Sequence, residues 1–83
     1  MYAATHRSLA MLKAVAAGRA ELTCSSEPDL FVDGLPCCDQ SAAHELARAG
    51  LIAPVRPGAL GQRVPARLTP AGHDVLAAVT AAA

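Results

Sequence analysis

Aromatic residues are scarce in this chain and net charge is absent, and each shortage narrows what it can be. There is no Trp, one Phe and one Tyr among 83 residues, although 53% of the residues are hydrophobic. A core without rings has to be filled by Leu, Val, Ile and many alanines, which bury little area apiece. A domain of this size hides only about 60–65% of its unfolded surface. Such a core leaves stability marginal, and a subunit interface would add to it, so a homodimer is expected. Seven basic residues balance seven acidic ones, which argues against binding nucleic acid by bulk charge. Long apolar runs are missing too. Met1 to Arg7 leads into a stretch broken by Lys13, Gly18 and Arg19. That is neither a secretory signal nor the roughly 20 apolar residues of a membrane span. A single cytoplasmic domain over 1–83, without membrane contact, is expected.

The usual signatures of catalysis and metal binding are also lacking. The cysteines, Cys24, Cys37 and Cys38, are odd in number with two adjacent, a poor disulfide framework. No C-x2-C knuckle occurs. Cys24, Cys37, Cys38 and His44 contain the atoms of a Cys3His zinc set, but packing as small hydrophobes is the better reading. Because Cys37-Cys38 directly precedes a predicted helix, a thiol- or metal-responsive sensor stands as an alternative. Gly58-Ala59-Leu60-Gly61-Gln62 lacks the Lys-Ser/Thr of a phosphate loop and precedes a strand. His6, His44 and His73 are scattered, and nothing evident orients a Cys38–His44 pair. Neither an enzyme nor a cofactor is expected.

What the chain does have is a charge pattern and clear punctuation. From Ala20 to Glu45 there are six acids (Glu21, Glu27, Asp29, Asp33, Asp39, Glu45) and no Lys or Arg. From Leu46 to His73 there are four arginines (Arg48, Arg56, Arg63, Arg67) and no acid. The protein is two-sided in sequence.

Thr5 caps a predicted helix reaching about Ala17, with Leu9, Leu12, Val15 and Ala16 on one face and Gly18 as its stop. Ala20–Cys24 reads as extended and Ser25–Asp29 as a turn. Leu30-Phe31-Val32, Asp33-Gly34 and Leu35 predict a hairpin whose second arm Pro36 confines to an edge. Asp39 caps a second helix over Gln40–Ala49, with Ala42, Ala43, Leu46 and Ala47 inward and Gly50 ending it. Arg63–Leu68 alternates as a half-exposed strand. Thr69-Pro70 opens a last helix with an apolar stripe of Ala71, Val75, Leu76 and Val79, fraying into Ala81–Ala83.

The run Leu46-Ala47-Arg48-Ala49-Gly50-Leu51-Ile52, an arginine-bearing loop, and Arg67-Leu68-Thr69-Pro70-Ala71-Gly72 together resemble the wing region of MarR- and PadR-type bacterial transcription regulators. The likeness covers about residues 40–78. It implies an α+β fold, a small winged-helix-like domain with three helices and a β-hairpin wing, here with a short hairpin before the second helix. It implies a DNA-binding regulator of transcription with duplex DNA as partner. Gln40, Ser41, His44 and Arg48 would lie in the major groove, where Gln and Arg suit base edges. Arg56, Gln62, Arg63 and Arg67 would be wing contacts to phosphate or the minor groove. The chain departs from these families where Ser25–Cys38 reads as a hairpin instead of a helix, and in lacking long dimerisation helices. The alternative is a protein-interaction module that docks through the acidic 25–38 hairpin, which holds the chain's only Phe, Phe31.

Overall fold

The computed structural model describes residues 5–82. Met1–Ala4 of the leading segment and Ala83 of the predicted frayed end lie outside them. The first helix, α1 (His6–Ala16), starts in a capping box. The Thr5 hydroxyl accepts the Ser8 N–H at 3.1 Å, and the Ser8 hydroxyl accepts the Thr5 N–H at 2.8 Å. Serine thus takes the place usually held by Glu or Gln, and the exchange satisfies the buried Ser8. Gly18, at φ +75°, turns the chain into β1 (Ala20–Thr23).

The next loop is closed by Asp29, whose N–H donates to the Thr23 hydroxyl at 2.8 Å. Strand β2 (Leu30–Val32) then reverses into β3 (Leu35–Pro36). Asp33 and Gly34 both have positive φ, 53° and 82°, as a two-residue type I′ turn requires. The second helix, α2 (Gln40–Arg48), is capped by the Asp39 carboxylate, which accepts the Ala42 N–H at 3.0 Å. After Gly50 come β4 (Ile52–Pro54), β5 (Arg63–Leu68) and α3 (Pro70–Ala82).

The strands form one antiparallel sheet in the order β3-β2-β1-β5-β4. Leu22 of the central β1 stands opposite Leu30 of β2 on one side and Val64 of β5 on the other. On the far side of β5, Ile52 stands opposite Leu68. The molecule is thus α+β, with three helices and a five-stranded sheet. Each edge strand carries a proline, Pro36 in β3 and Pro54 in β4. Proline offers no N–H, so both edges are poor templates for a further strand.

The helices cover one face of this sheet. Val64, Ala66 and Leu68 of β5 are buried under them while Arg63, Pro65 and Arg67 are exposed, as the alternation predicts. Leu12, Leu22, Leu30, Leu46 and Val64 are fully buried, so the core is aliphatic throughout. On α1 Ser8, Met11, Leu12, Ala14 and Val15 are buried, with Ser8, Met11, Leu12 and Val15 forming the i, i+3, i+4, i+7 stripe of a helix lying on a sheet. The expected Leu9 is only half-buried and Ala16 is exposed. The helix is rotated to bring Met11 inward instead.

A corner of four residues joins the end of α2 to the start of α3. The Thr69 hydroxyl donates to the Gly50 carbonyl and accepts the Gly72 N–H, and the Thr69 N–H donates to the Leu51 carbonyl at 3.0 Å. Gly72 is buried here, and Ala71, expected in the apolar stripe, is exposed. A Cβ on Gly72 would collide with the backbone carbonyl of Leu51, which cannot swing aside as a side chain does. None of the described helices is long and apolar enough to cross a membrane. Gly72→Ala is expected to cost about 2–4 kcal/mol, as overpacking against backbone does. Gly34→Ala, strained in φ but surrounded by open space, should cost about 1 kcal/mol. Urea unfolding of the two variants measures the difference.

Candidate interaction surface

The residues expected on one DNA-facing surface are distributed over several. Gln40, at the first turn of α2, points back to the hairpin. Its Oε1 accepts the Leu30 N–H at 2.8 Å, and its Nε2 donates to the Leu30 and Cys37 carbonyls at 2.9 and 3.0 Å. The amide stands in for a strand residue beside β2, which β3 is too short to cover. It has no donor left for a base edge. The outward placement from helical spacing is therefore corrected for Gln40. At the first helical position the side chain reaches across the capping turn and not away from the domain.

Ser41 is exposed. His44, half-buried, sits between two acids of the β1–β2 loop, with Nε2 2.9 Å from Asp29 and Nδ1 3.9 Å from Glu27. Arg48 lies one turn on, 3.8 Å from the same Glu27. With exposed Glu45 added, acids outnumber cations on the outward side of α2. Periodicity within α2 says nothing of this, because the acids arrive from another part of the chain.

The β4–β5 hairpin carries the other candidates. Its loop is fastened to the end of β1: the Cys24 N–H donates to the Gln62 carbonyl at 2.8 Å, and the Gly61 N–H to the Cys24 carbonyl at 2.9 Å. The side-chain oxygen of Gln62 accepts the Ala59 N–H at 2.9 Å and shapes the loop. Arg56 is exposed in this loop, and Leu60 at its tip is 88% exposed. Arg63 and Arg67 stand on the face of the sheet turned away from the helices. There the Arg63 guanidinium lies 4.5 Å over the centre of the Phe31 ring and 3.9 Å from Glu21, a cation–π contact across three strands. Arg67 is exposed beside Ala53. The four arginines of the basic half are thus divided between the two sides of the sheet.

The close ion pairs lie elsewhere. Arg7 meets Asp39 at 3.0 Å, and Arg19 meets Asp33 at 2.7 Å through a forked contact. The Ala42 N–H and then Arg7 hold the Asp39 carboxyl below its ordinary range. Hydrogen bonding from Arg19 does the same for Asp33. The first pair ties α1 to the cap of α2 and the second ties the segment after α1 to the β2–β3 turn, so part of the sequence's two-sidedness is consumed internally.

Cys24, Cys37 and Cys38 are free thiols. No three His, Cys, Asp or Glu side chains among the described residues are grouped to hold a metal ion, so the Cys3His set is not assembled. Cys24 follows β1 and lies beside Gly58, whereas Cys37 packs at the core margin near α1.

One surface was not singled out by sequence reasoning. From Val75 to Ala82, α3 has no charged residue. Val75 and Leu76 pack against the margin of the core and Val79 is half-buried, while Ala77, Ala78 and Ala81 are exposed. The signal was present as an alanine-rich, uncharged segment, but such a segment reads equally as a fraying end.

No family model matches this chain, and no curated protein or solved structure is significantly similar to it.

Replacing Gln40 by Ala should lower stability by about 1–3 kcal/mol, since it strips partners from three partly buried backbone groups of the hairpin. Ser41→Ala should stay within about 0.5 kcal/mol. Chemical denaturation of both variants is the check. Equal effects would mean the amide clasp carries no load.

Proposed function

We propose that this chain is a winged-helix-like association module that docks on protein through α3, in the first place on a second copy of itself. The observation that carries this reading is α3: eight successive uncharged residues, none of those with described surroundings buried. An uncharged helix face left open beside its core-packed side is suited to being covered by a partner. The sheet edges are a poor route to association, because Pro36 and Pro54 interrupt them. A small aliphatic core also gains most from added burial. The winged-helix reading is supported by the order α1, β1, α2, β4, β5, with the β4–β5 hairpin as the wing. It is supported further by the Gly50-Leu51 and Thr69–Gly72 corner, which lies within the likeness to MarR- and PadR-type regulators. The β2–β3 hairpin takes the place where those families have a helix.

Sedimentation of the purified chain over a wide concentration range tests the reading. The wild type should associate, and Ala78→Glu with Ala81→Glu should weaken that association at least about tenfold, since an unpaired buried carboxylate costs several kcal/mol. Both substitutions lie at exposed positions, so circular dichroism should be unchanged. A wild type that stays monomeric throughout, or a double variant that associates as well, overturns the reading.

A second reading, contact with duplex DNA through the wing, is favoured by a different observation. Among the described residues, Arg48 and Arg63 reach carboxylates only at 3.8 and 3.9 Å. Pairs this long and this exposed are readily exchanged for phosphate. If Arg48 and Arg56 engage phosphates, log K against log salt should fall with a slope of about −1.8 per protomer, and if all four arginines do, of about −3.6. Titration of labelled duplex at several salt concentrations distinguishes these cases. Absence of binding at low salt removes this reading and leaves the association reading standing.

A further inference from the structure

Between α1 and the β2–β3 hairpin lies a cleft of about 340 Å³. Met11 and Ala14 of α1 and Val32 of β2 make one side of it apolar. Cys37 and Cys38 line the opposite wall, where the chain passes from β3 to α2. Arg7 at the start of α1 and Arg19 beyond its end bring guanidinium groups to the same cleft. Binding sites for small molecules begin at about 300 Å³, with apolar walls and a few placed polar groups. This cleft has that size and makeup, and it holds two nucleophilic atoms besides.

We propose that the cleft is a thiol-modification site, at which Cys38 exchanges with a small disulfide that bears a carboxylate and an apolar body. Cys38 is the exposed cysteine of the three, whereas Cys24 and Cys37 are partly buried. The residue before it is anchored to the β2–β3 hairpin and to α2. The Cys37 N–H donates to the Leu30 carbonyl at 2.9 Å, and the Cys37 carbonyl accepts from the Gln40 amide at 3.0 Å. Arg7, paired with Asp39 at 3.0 Å, borders the same cleft as Cys37 and Cys38.

In the step, the Cys38 thiol gives its proton to solvent and the thiolate attacks one sulfur of the small disulfide. A bond forms between Cys38 and that sulfur as the reagent's own sulfur–sulfur bond breaks. The displaced half leaves as a thiolate with the electron pair; Cys38 is oxidised and the departing half is reduced. The retained half lays its apolar body on Met11, Ala14 and Val32, and its carboxylate shares Arg7 with Asp39 or Arg19 with Asp33. Cys37 does not release it. Neighbouring Cα atoms are about 3.8 Å apart, below the roughly 4.4–6.8 Å of ordinary disulfides. The mixed disulfide is therefore the end product.

The test uses the full chain, intact-mass and peptide mapping, and two reagents: anionic dithiobis(nitrobenzoate) and neutral dithiodipyridine. Rates at Cys38 are taken relative to Cys24 in the same molecule. The first adduct is expected on Cys38 with both reagents. In Arg7→Gln/Arg19→Gln the advantage of the anionic reagent should fall about fivefold, the size of one unit-charge contact near water. Ala10→Trp, at an exposed position bordering the cleft, should slow both reagents at Cys38 and leave Cys24 unchanged. Modification of Cys24 as fast as Cys38, or an anionic preference indifferent to both sets of substitutions, overturns the proposal.

Discussion

Three parts of the chain, the end of α2, the end of β5 and the start of α3, meet at Thr69. Thr69 joins the carbonyl of Gly50, at the end of α2, to the N–H of Gly72, inside the first turn of α3, while its own N–H ties Leu51 to the end of β5. This clasp sits beside the Ile52–Leu68 pair that starts the β4–β5 register, so the reach of that hairpin is set from its closed end. It also sets how α2 and α3 leave the sheet, because each helix has a terminus inside the clasp. The absence of a Cβ at Gly72 is the steric condition for the close approach. A short aliphatic core has little surplus stability, and a backbone–backbone junction of this kind fixes geometry that side-chain packing alone would leave loose.

The electrostatics follow from the same economy of size. In so small a domain the acids between β1 and α2 lie close to cations from elsewhere in the chain, so Asp33 pairs with Arg19, Asp39 with Arg7, and Glu27 and Asp29 lie against Arg48 and His44. The basic half is meanwhile split by the pleat of β5, which sends Arg63 and Arg67 to the face opposite α2. Charges separated along the chain are thus intermixed in space. A surface so mixed suits a protein partner, or a modest grip on phosphate, better than the sequence-specific reading of a groove by α2.

Much of the architecture was legible from local chemistry. Thr5 and Asp39 cap their helices, Asp33-Gly34 makes the tight turn, and the alternation of Arg63–Leu68 gives strand and faces alike. These features depend on residues within a few positions of one another. Contacts that join distant segments were not legible. Helical spacing places Gln40 outward, but β3 leaves part of β2 uncovered, and the nearest amide fills the gap. The same spacing made Ala71 part of a stripe, whereas the corner turns Gly72 inward. Of the candidate surface, residue types and exposure were readable for Ser41, Arg48, Arg56, Arg63 and Arg67, but not their grouping. That requires knowing which side of the sheet the helices occupy.

The prolines in the two outer strands have a consequence for assembly size. With Pro36 and Pro54 interrupting the lateral hydrogen-bonding rows, the five-stranded sheet is poorly suited to lengthen by recruiting neighbours. In the association proposed above, the contact is the uncharged side of α3, a single patch. Two molecules that meet patch to patch around a twofold axis satisfy each other completely and offer nothing to a third. A chain more than half hydrophobic that associated in the way proposed would form pairs and not filaments.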